Sequence, residues 1–241
     1  MWLSLNKDKL WIVTHHKCAS TWQNRYLREF SELNNLRMKF HYHSHARFIG
    51  WQDLVLHVNA HHPSVHADAR SGIHIIRNPL DIVVSAYYSH LNTHPVDTWP
   101  RLKKQRELIK SKSAEEGIKL TAEFLALRDF DRNTPGPLYA LRHWDYADSR
   151  FKTLRMEDVV DQPNAQLGAA LLSRFPGAVL PDENQFTFQG ITGRKMGDVD
   201  TNSHYRDGRP GQWRQELPKA LADELRTTFA PLLQAYYPQD V

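Results

Sequence analysis

The stretch LWIVTHHKCASTW, Leu10 to Trp22, joins a short apolar run to a polar loop and the start of a helix. The run Leu10 to Thr14 has the unbroken apolar character of a buried strand. A helix is predicted from Thr21 to Leu33, because apolar side chains recur there at helical spacing and Ser20 or Thr21 is placed to cap it. A strand, a short loop and a helix in this order are typical of an α/β protein.

The same alternation continues along the chain. Arg37 to His45 alternates with period two and is predicted to be a strand. Trp51 to Val58 has apolar residues at i, i+3, i+4 and i+7, which predicts a helix. Ile73 to Ile76 is a short buried strand, and a helix follows from Leu80 to Leu91. Further predicted elements are helices over 99–128, 138–148, 163–175 and 220–237, a strand over 151–155 and a long loop over 188–216.

These elements predict an α/β fold with a central parallel sheet, organised as one domain over residues 1–241. Lys and Arg total 31 against 27 for Asp and Glu, and the pI is about 9.1, which favours an anionic partner. The single cysteine, Cys18, excludes an intramolecular disulfide. No apolar run approaches the ~20 residues of a membrane span. We therefore expect a cytoplasmic protein without a membrane span.

Fourteen histidines are present, and most of them fall within residues 15–94. His41, His43 and His45 alternate along one predicted strand face and could suit zinc, but no cysteine or carboxylate adjoins them. A polar strand edge that lines a pocket explains the same pattern, so no metal site is predicted. Two adjacent pairs are predicted to lie at the surface: His15–His16 and His61–His62.

Three segments have the chemistry to bind an anion at the carboxyl ends of the strands. In the first, residues 14–22, Lys17 supplies a charge, Ser20 and Thr21 supply hydroxyls, and the helix N-terminus supplies N–H groups. The nucleotide-hydrolase pattern Gly-x-x-x-x-Gly-Lys-Ser/Thr is absent from it. The alternative is a capped helix with a solvated lysine.

The second segment, residues 77–85, places Arg77 at a strand end and Ser85 on the following helix, a pairing that would suit a phosphate. The alternative is that Arg77 pairs with Asp81 across the first helical turn. The third segment, residues 206–214, is a basic loop with two glycines and one tryptophan. It could close over an anion, or it could be a solvated loop.

Together these segments resemble the family of sulfotransferases that use 3′-phosphoadenosine-5′-phosphosulfate (PAPS). Lys17-Cys18-Ala19-Ser20-Thr21-Trp22 is similar to that family's 5′-phosphosulfate loop, Lys-Ser-Gly-Thr-Thr-Trp. Its 3′-phosphate motif is matched by Arg77, Asn78, Asp81, Ser85, Tyr87 and Tyr88. Its C-terminal loop is matched by Arg206, Gly208, Gly211 and Trp213, and its Tyr-Glu-Asp segment resembles Met156-Glu157-Asp158.

The resemblance implies a P-loop-like three-layer α/β/α fold, PAPS as co-substrate and the desulfated nucleotide PAP as product. It implies that the loop Lys17, Cys18, Ala19, Ser20 and Thr21 holds the 5′-phosphosulfate, with Trp22 near the adenine. It further implies that Arg77, Ser85, Arg206 and the Asp207-Gly208 segment hold the 3′-phosphate. The chain departs from the family pattern in three places: Asp207 replaces lysine, Met156 replaces tyrosine, and Cys18-Ala19 replaces Ser-Gly.

The implied reaction moves a sulfuryl group to a hydroxyl, or less often an amine, of a small molecule, sugar or lipid. Lys17 would stabilise charge on the leaving phosphate, and a histidine that follows a strand would remove the acceptor's proton. The predicted base is His45, with His43 as the second candidate. The helical pattern of residues 51–58 argues against the other nearby histidines, which are His57, His61 and His62. His16 adjoins Lys17 and could also approach the acceptor.

Two other functions remain open on the sequence. A small-molecule kinase of P-loop type would need ATP and magnesium, but its phosphate-binding motif is absent. A nucleotide-binding protein without catalysis would keep the phosphate sites and lack the base. Salt-sensitive binding of a polynucleotide would mark a nucleic-acid-binding protein; a nucleic-acid partner is not expected.

Overall fold

The computed structural model of the chain describes residues 9–42, 52–61, 69 and 71–241. Within these ranges five strands form one parallel sheet in the order β2-β3-β1-β4-β5. The strands are β1 (Leu10–Thr14), β2 (Met38–Tyr42), β3 (Leu54–Val58), β4 (Ser71–Ile76) and β5 (Phe151–Arg155). The predicted parallel sheet is therefore confirmed.

β1 lies in the middle of the sheet, and its carboxyl end is level with those of its neighbours. Thr14 pairs with Val58 of β3 on one side and with Ile75 of β4 on the other. The chain runs from β1 towards β2 at one edge and from β4 towards β5 at the other. Such a reversal opens a crevice at the carboxyl ends of the strands, and here it lies between β1 and β4.

The helix predicted over Trp51–Val58 was wrong, because Leu54–Val58 is the strand β3. All five of its residues are buried, with β2 on one side and β1 on the other. A strand covered on both faces needs no polar alternation, so a short apolar run can imitate helical spacing. His57 therefore belongs to a buried strand, and the next residues, 59–61, lie at the same edge of the sheet as the loop after β1.

The helices surround this sheet, and the described ranges contain eleven α-helices. They are α1 (Ser20–Leu33), α2 (Pro79–Tyr88), α3 (Pro100–Lys110), α4 (Ala114–Leu125), α5 (Pro137–Arg142), α6 (Met156–Asp161), α7 (Ala169–Arg174), α8 (Phe188–Thr192), α9 (Trp213–Glu216), α10 (Lys219–Thr228) and α11 (Ala230–Tyr236). One π-helical turn, Ser89–Thr93, extends α2, and another, Asn164–Gly168, precedes α7. None of the helices described has the length and apolarity that crossing a bilayer requires.

Capping and proline account for two of the differences from the predicted helices. The stretch 99–128 forms two helices because Ser113 and Glu116 make a capping box that begins α4. The stretch 220–237 is divided where Pro231 begins α11. The helix predicted over 138–148 ends at Arg142, and the predicted loop 188–216 contains the short helices α8 and α9.

The buried side chains form clusters on both faces of the sheet. On one face α1 packs through Trp22, Leu27 and Phe30 against β1, β3 and the segment before α8. On the other face α2 packs with α4, α10 and α11 through residues such as Val83, Leu125 and Leu225. The result is a three-layer α/β/α fold, as the resemblance implied.

Candidate active site

The loop after β1 has the backbone conformation of an anion-binding turn. Lys17 and Ala19 both have left-handed backbone, with φ of 67° and 59°. Ala19 is the N-cap of α1 and has no side chain to cap it, so the predicted capping by Ser20 or Thr21 was wrong. Left-handed residues turn successive N–H groups to one side, and an uncapped helix N-terminus adds further donors. The loop is thus suited to a phosphate or sulfate group.

The side chains of Gln23 and Arg77 hold this loop in place through hydrogen bonds to its backbone carbonyls. Gln23 Nε2 donates to the carbonyl oxygen of Cys18 at 2.6 Å and to Thr14 Oγ1 at 3.2 Å. Arg77 Nη1, at the end of β4, donates to the carbonyl oxygen of Lys17 at 3.0 Å. Cys18 itself is fully buried, and its Sγ faces the carbonyl of His16 rather than the cleft.

The sequence left open a pairing of Arg77 with Asp81, but in the structure the two side chains contact other groups. Asp81 accepts hydrogen bonds from the backbone N–H groups of Gly211, at 2.6 Å, and Trp213, at 3.1 Å. Arg77 Nε is buried, and no described residue accepts a hydrogen bond from it. Asn78 caps α2 by accepting from the N–H of Leu80 at 2.9 Å. The segment from the end of β4 to the first turn of α2 therefore holds the third loop and presents an arginine with an unused donor.

Arg206 and Gly208 in the third loop are held by close packing. The guanidinium of Arg206 lies 4.0 Å from the ring centre of Tyr88, and its Nη1 is 3.4 Å from Glu216 Oε1. Gly208 has φ of 82°, and a Cβ there would lie 2.5 Å from Phe188 Cδ2. Only glycine fits this conformation and this contact without strain.

The departure at Asp207 is compensated within the loop. Arg209 donates from Nε and Nη2 to the Asp207 carboxylate at 2.7 and 3.0 Å. Burial alone would raise the pKa of Asp207, but the hydrogen bonds and charge of Arg209 outweigh burial and lower that pKa. The carboxylate is therefore ionised and neutralised by its neighbour, so it adds little repulsion for a bound anion.

All three loops line one cleft at the carboxyl edge of the sheet. The residues on the first are Lys17, Ala19, Ser20, Thr21 and Trp22; on the second they are Arg77, Asp81 and Ser85; and on the third they are Arg206, Asp207, Gly208 and Arg209. The wall at Trp22 is rigid, because its ring stacks on Tyr26 and its indole N–H donates to the carbonyl of Phe186 at 2.8 Å. Of the predicted nucleotide-binding residues, Cys18 alone does not line the cleft.

Other lining residues were not found from the sequence. They are Tyr42, Ser89, Thr93, His94, Val160, Phe186, Phe188, Ile191, Thr201, Ser203, His204 and Tyr205. A cap signal could have located α8 within the supposed loop, since Thr187 Oγ1 accepts from the N–H of Gly190 at 3.0 Å. No local signal places His94 or His204 beside Lys17, because tertiary packing alone brings them there.

The prediction that His15 and His16 lie at the surface was wrong. Both are buried, with His15 Nε2 2.7 Å from His74 Nε2 and His16 Nε2 2.9 Å from His90 Nε2. Burial, followed by repulsion from His57 and His61, lowers the pKa of His15 to about 3. The imidazoles of His15 and His16 are therefore uncharged members of the core at neutral pH.

The histidines considered as the base differ in their position and burial, and some lie outside the described residues. His43, His45 and His62 lie outside the described residues. His57 is fully buried within β3, whereas His61 follows the end of that strand and is half-buried, with its ring 5.8 Å from that of Tyr139. In the ranges described, no three His, Cys, Asp or Glu side chains are grouped to hold a metal ion.

Lys17 is held in an environment that disfavours its charge. Burial, followed by the positive charge of Arg77, lowers the pKa of Lys17 from 10.5 to about 7. Without an anion beside it, the Lys17 ammonium therefore loses its proton more readily than that of an exposed lysine. A bound anion would favour the ammonium form.

Asp81→Asn tests the anchor of the third loop. The amide can accept one hydrogen bond, but its NH2 group faces the second backbone N–H, which is left unpaired at a cost of about 1–3 kcal/mol. We expect amide hydrogen exchange at Gly211 and Trp213 to accelerate by about ten- to a hundredfold. Asp223→Asn, on an exposed surface, is the matched control. Unchanged protection in Asp81→Asn would show that the loop does not depend on this carboxylate.

No protein-family model matches the chain, and no curated protein matches it in sequence. Its fold is similar to solved structures at low identity. Mouse sulfotransferase SULT7A1 complexed with PAP aligns with a TM-score of 0.56 and 12% identity, covering 95% of this chain and 86% of that one. Retinol dehydratase with androsterone and the inactive cofactor PAP aligns with a TM-score of 0.53 and 13% identity, covering 95% and 81%. The chain therefore has the fold of the PAP-binding sulfotransferases.

Proposed function

We propose that this protein is a PAPS-dependent sulfotransferase that transfers a sulfuryl group to a hydroxyl, or less often an amine, of a small molecule, sugar or lipid. The observation that carries the proposal is the convergence of three loops on one cleft. They bring Lys17, Arg77 and Arg206 together from positions up to 189 residues apart (206 − 17). Three cations and a helix N-terminus in one cleft suit a ligand with two separate phosphate groups. We also propose that residues 1–241 form one domain and that the protein is cytoplasmic.

In this proposal the first loop holds the 5′-phosphosulfate, through Lys17, the hydroxyls of Ser20 and Thr21, and the N-terminus of α1. Arg77, Ser85 and Arg206, with the backbone of Gly208, hold the 3′-phosphate. The unused Nε donor of Arg77 supports this placement, because a buried guanidinium N–H without an acceptor is costly unless a ligand accepts from it. The adenine would lie near the ring of Trp22, which lines the same cleft.

Transfer would proceed in line. An oxygen of the acceptor attacks sulfur while the bond from sulfur to the phosphate oxygen breaks, and PAP leaves. Lys17 stabilises the negative charge that develops on the leaving oxygen. A histidine takes the proton of the attacking hydroxyl. The same elements suit an amine acceptor, which would lose an N–H proton instead.

We propose His61 as a base candidate alongside His45 and His43. The reason for setting His61 aside was a predicted helix over residues 51–58, and that segment is the strand β3. His61 follows the end of β3, next to the loop after β1, and interacts electrostatically with His15 of that loop. This position after a strand end supports a role in proton transfer, whereas the burial of His57 argues against one for that residue.

The first experiment is a thermal-shift titration with PAP against AMP, ADP and ATP with magnesium. At 100 times its dissociation constant a ligand adds about 2.7 kcal/mol to the free energy of unfolding, which raises Tm by roughly 5–11 °C in a protein of this size. We expect that shift with PAP, and we expect Arg77→Ala to weaken PAP binding by about ten- to a hundredfold. Arg101→Ala, at an exposed ion pair, is the control. A shift with ATP alone would favour a kinase, and PAP binding without any transfer would favour a non-catalytic binding protein.

The pKa of Lys17 predicts that PAP binding depends on pH. Above pH 7.5 the phosphates of PAP are already ionised, so the main proton change on binding is uptake by Lys17. Because the free protein must gain this proton, affinity should fall by up to about tenfold per pH unit from pH 7.5 to 9. Calorimetry at pH 8 in two buffers of different ionisation enthalpy should show proton uptake. Lys17→Arg keeps the charge and should abolish the uptake; the same pH slope in that variant would contradict the assignment.

The base is tested by His61→Ala and His45→Ala, assayed for sulfuryl transfer and for PAP affinity. We expect His61→Ala to lower kcat by about 10²- to 10⁴-fold with little change in PAP affinity, because the base acts on the acceptor. The second variant, His45→Ala, decides between the two candidates. If only His45→Ala loses turnover, the base lies in the loop after β2, as predicted from the sequence.

A further inference from the structure

His16 ends a chain of buried hydrogen bonds that runs from α4 to the cleft. His16 Nε2 lies 2.9 Å from His90 Nε2, and His90 Nδ1 lies 2.9 Å from Gln105 Oε1. Gln105 Nε2 lies 3.4 Å from Thr121 Oγ1, and Thr121 donates to the carbonyl oxygen of Gly117 at 2.8 Å. The four side chains that form the chain are all buried.

The backbone carbonyl at the far end sets the direction of every bond. Because Thr121 uses its only proton on a carbonyl, its oxygen must accept from the Gln105 amide NH2. The Gln105 oxygen then faces His90 Nδ1, which must carry a proton. A neutral imidazole has one N–H, so His90 Nε2 accepts, and the proton between the two rings belongs to His16 Nε2. His16 is thereby held with a bare lone pair on Nδ1.

His16 therefore still has this Nδ1 lone pair to offer to a ligand. His16 lines the cleft beside Lys17, and its Nε2 is committed to His90. No described residue donates a hydrogen bond to Nδ1. A phosphosulfate offers only oxygen acceptors at this end, and two acceptors repel one another. The natural partner of Nδ1 is therefore an O–H or N–H donor on a different molecule.

We propose that His16 Nδ1 binds the acceptor substrate, accepting a hydrogen bond from its O–H or N–H group, and so selects acceptors that carry a donor at this point. The inference rests on the proposed function, in which the phosphosulfate of PAPS occupies the cleft beside His16. It adds a specificity residue that belongs to the loop holding the phosphosulfate.

His16 accepts a hydrogen bond from the acceptor substrate but does not take up its proton. Burial, followed by the charges of His90, Lys17, His94 and His204, lowers the pKa of His16 well below its usual value. An imidazolium formed there would lie buried beside the ammonium of Lys17, away from the water that would stabilise its charge. A neutral imidazole with a fixed lone pair is a hydrogen-bond acceptor of constant strength over the working pH range.

The tautomer is tested by NMR of the ¹⁵N-histidine-labelled protein. We expect His16 to carry its proton on Nε2 and to remain neutral from pH 8 down to pH 5.5. Gln105→Leu removes the oxygen that fixes the proton on His90 Nδ1, so His16 should then populate both tautomers. Gln215→Leu, on the short helix α9, should leave the tautomer of His16 unchanged. A proton on His16 Nδ1, or titration of His16 in this range, would overturn the proposal whether or not the protein binds PAP.

Selection is tested with phenol and its methyl ether, anisole, on the PAP-saturated protein and on the free protein. One hydrogen bond predicts that phenol binds about tenfold more tightly than anisole. His16→Asn can place its amide oxygen where Nδ1 lies and should keep the preference. His16→Gln reaches only as far as Nε2 and should lose it. Equal binding of the two probes by the unsubstituted protein, or binding of neither, would contradict the proposal.

Failure of the proposed function has a different signature. A protein that binds no PAP contradicts the sulfotransferase assignment, while the tautomer measurement and the phenol preference of the free protein still decide the role of His16. Conversely, PAP binding with no phenol preference preserves the assignment and removes His16 from acceptor recognition.

Discussion

The carboxylate of Asp81 accepts from the backbone N–H groups of Gly211 and Trp213, and the arrangement of the cleft depends on that contact. It joins the first turn of α2 to a loop 130 residues further along the chain. Four residues earlier, Arg77 donates to the carbonyl of Lys17 and so fixes the loop after β1. One short segment after β4 therefore holds the other two loops in place. Without these contacts the three segments would share an edge of the sheet but not a common geometry.

The charges of the cleft are arranged to receive an anion. Burial, followed by the positive charge of Arg77, lowers the pKa of Lys17 to about 7. The carboxylate of Asp207 is neutralised by Arg209. Burial keeps the nearby imidazoles of His16 and His94 uncharged by lowering their pKa values. The free site thus carries unfavourable repulsion between its cations, which a bound phosphate or sulfate would relieve.

The loops and most of the sheet could be predicted because their signals are local. The run Leu10–Thr14, the polar loop after it and the basic third loop each show their character within a few residues. The strand β3 could not be assigned, because full burial removes the alternation that distinguishes a strand from a helix. That single error displaced His61 from the candidate bases. The burial of His15 and His16 was missed for a related reason, since their imidazole partners lie 59 and 74 residues away.

The sequence by itself determined the α/β alternation, the three anion-binding segments and their resemblance to a sulfotransferase, since backbone propensity and motif spacing are properties of neighbouring residues. Only the tertiary structure decided which side chains meet in the cleft and in which protonation state. Hydrogen bonds such as that of His16 to His90, and the depressed pKa of Lys17, arise from burial among residues distant in the chain. Desolvation and pairing depend on the packed surroundings of a group, and those surroundings exist only once the sheet and its helices have assembled.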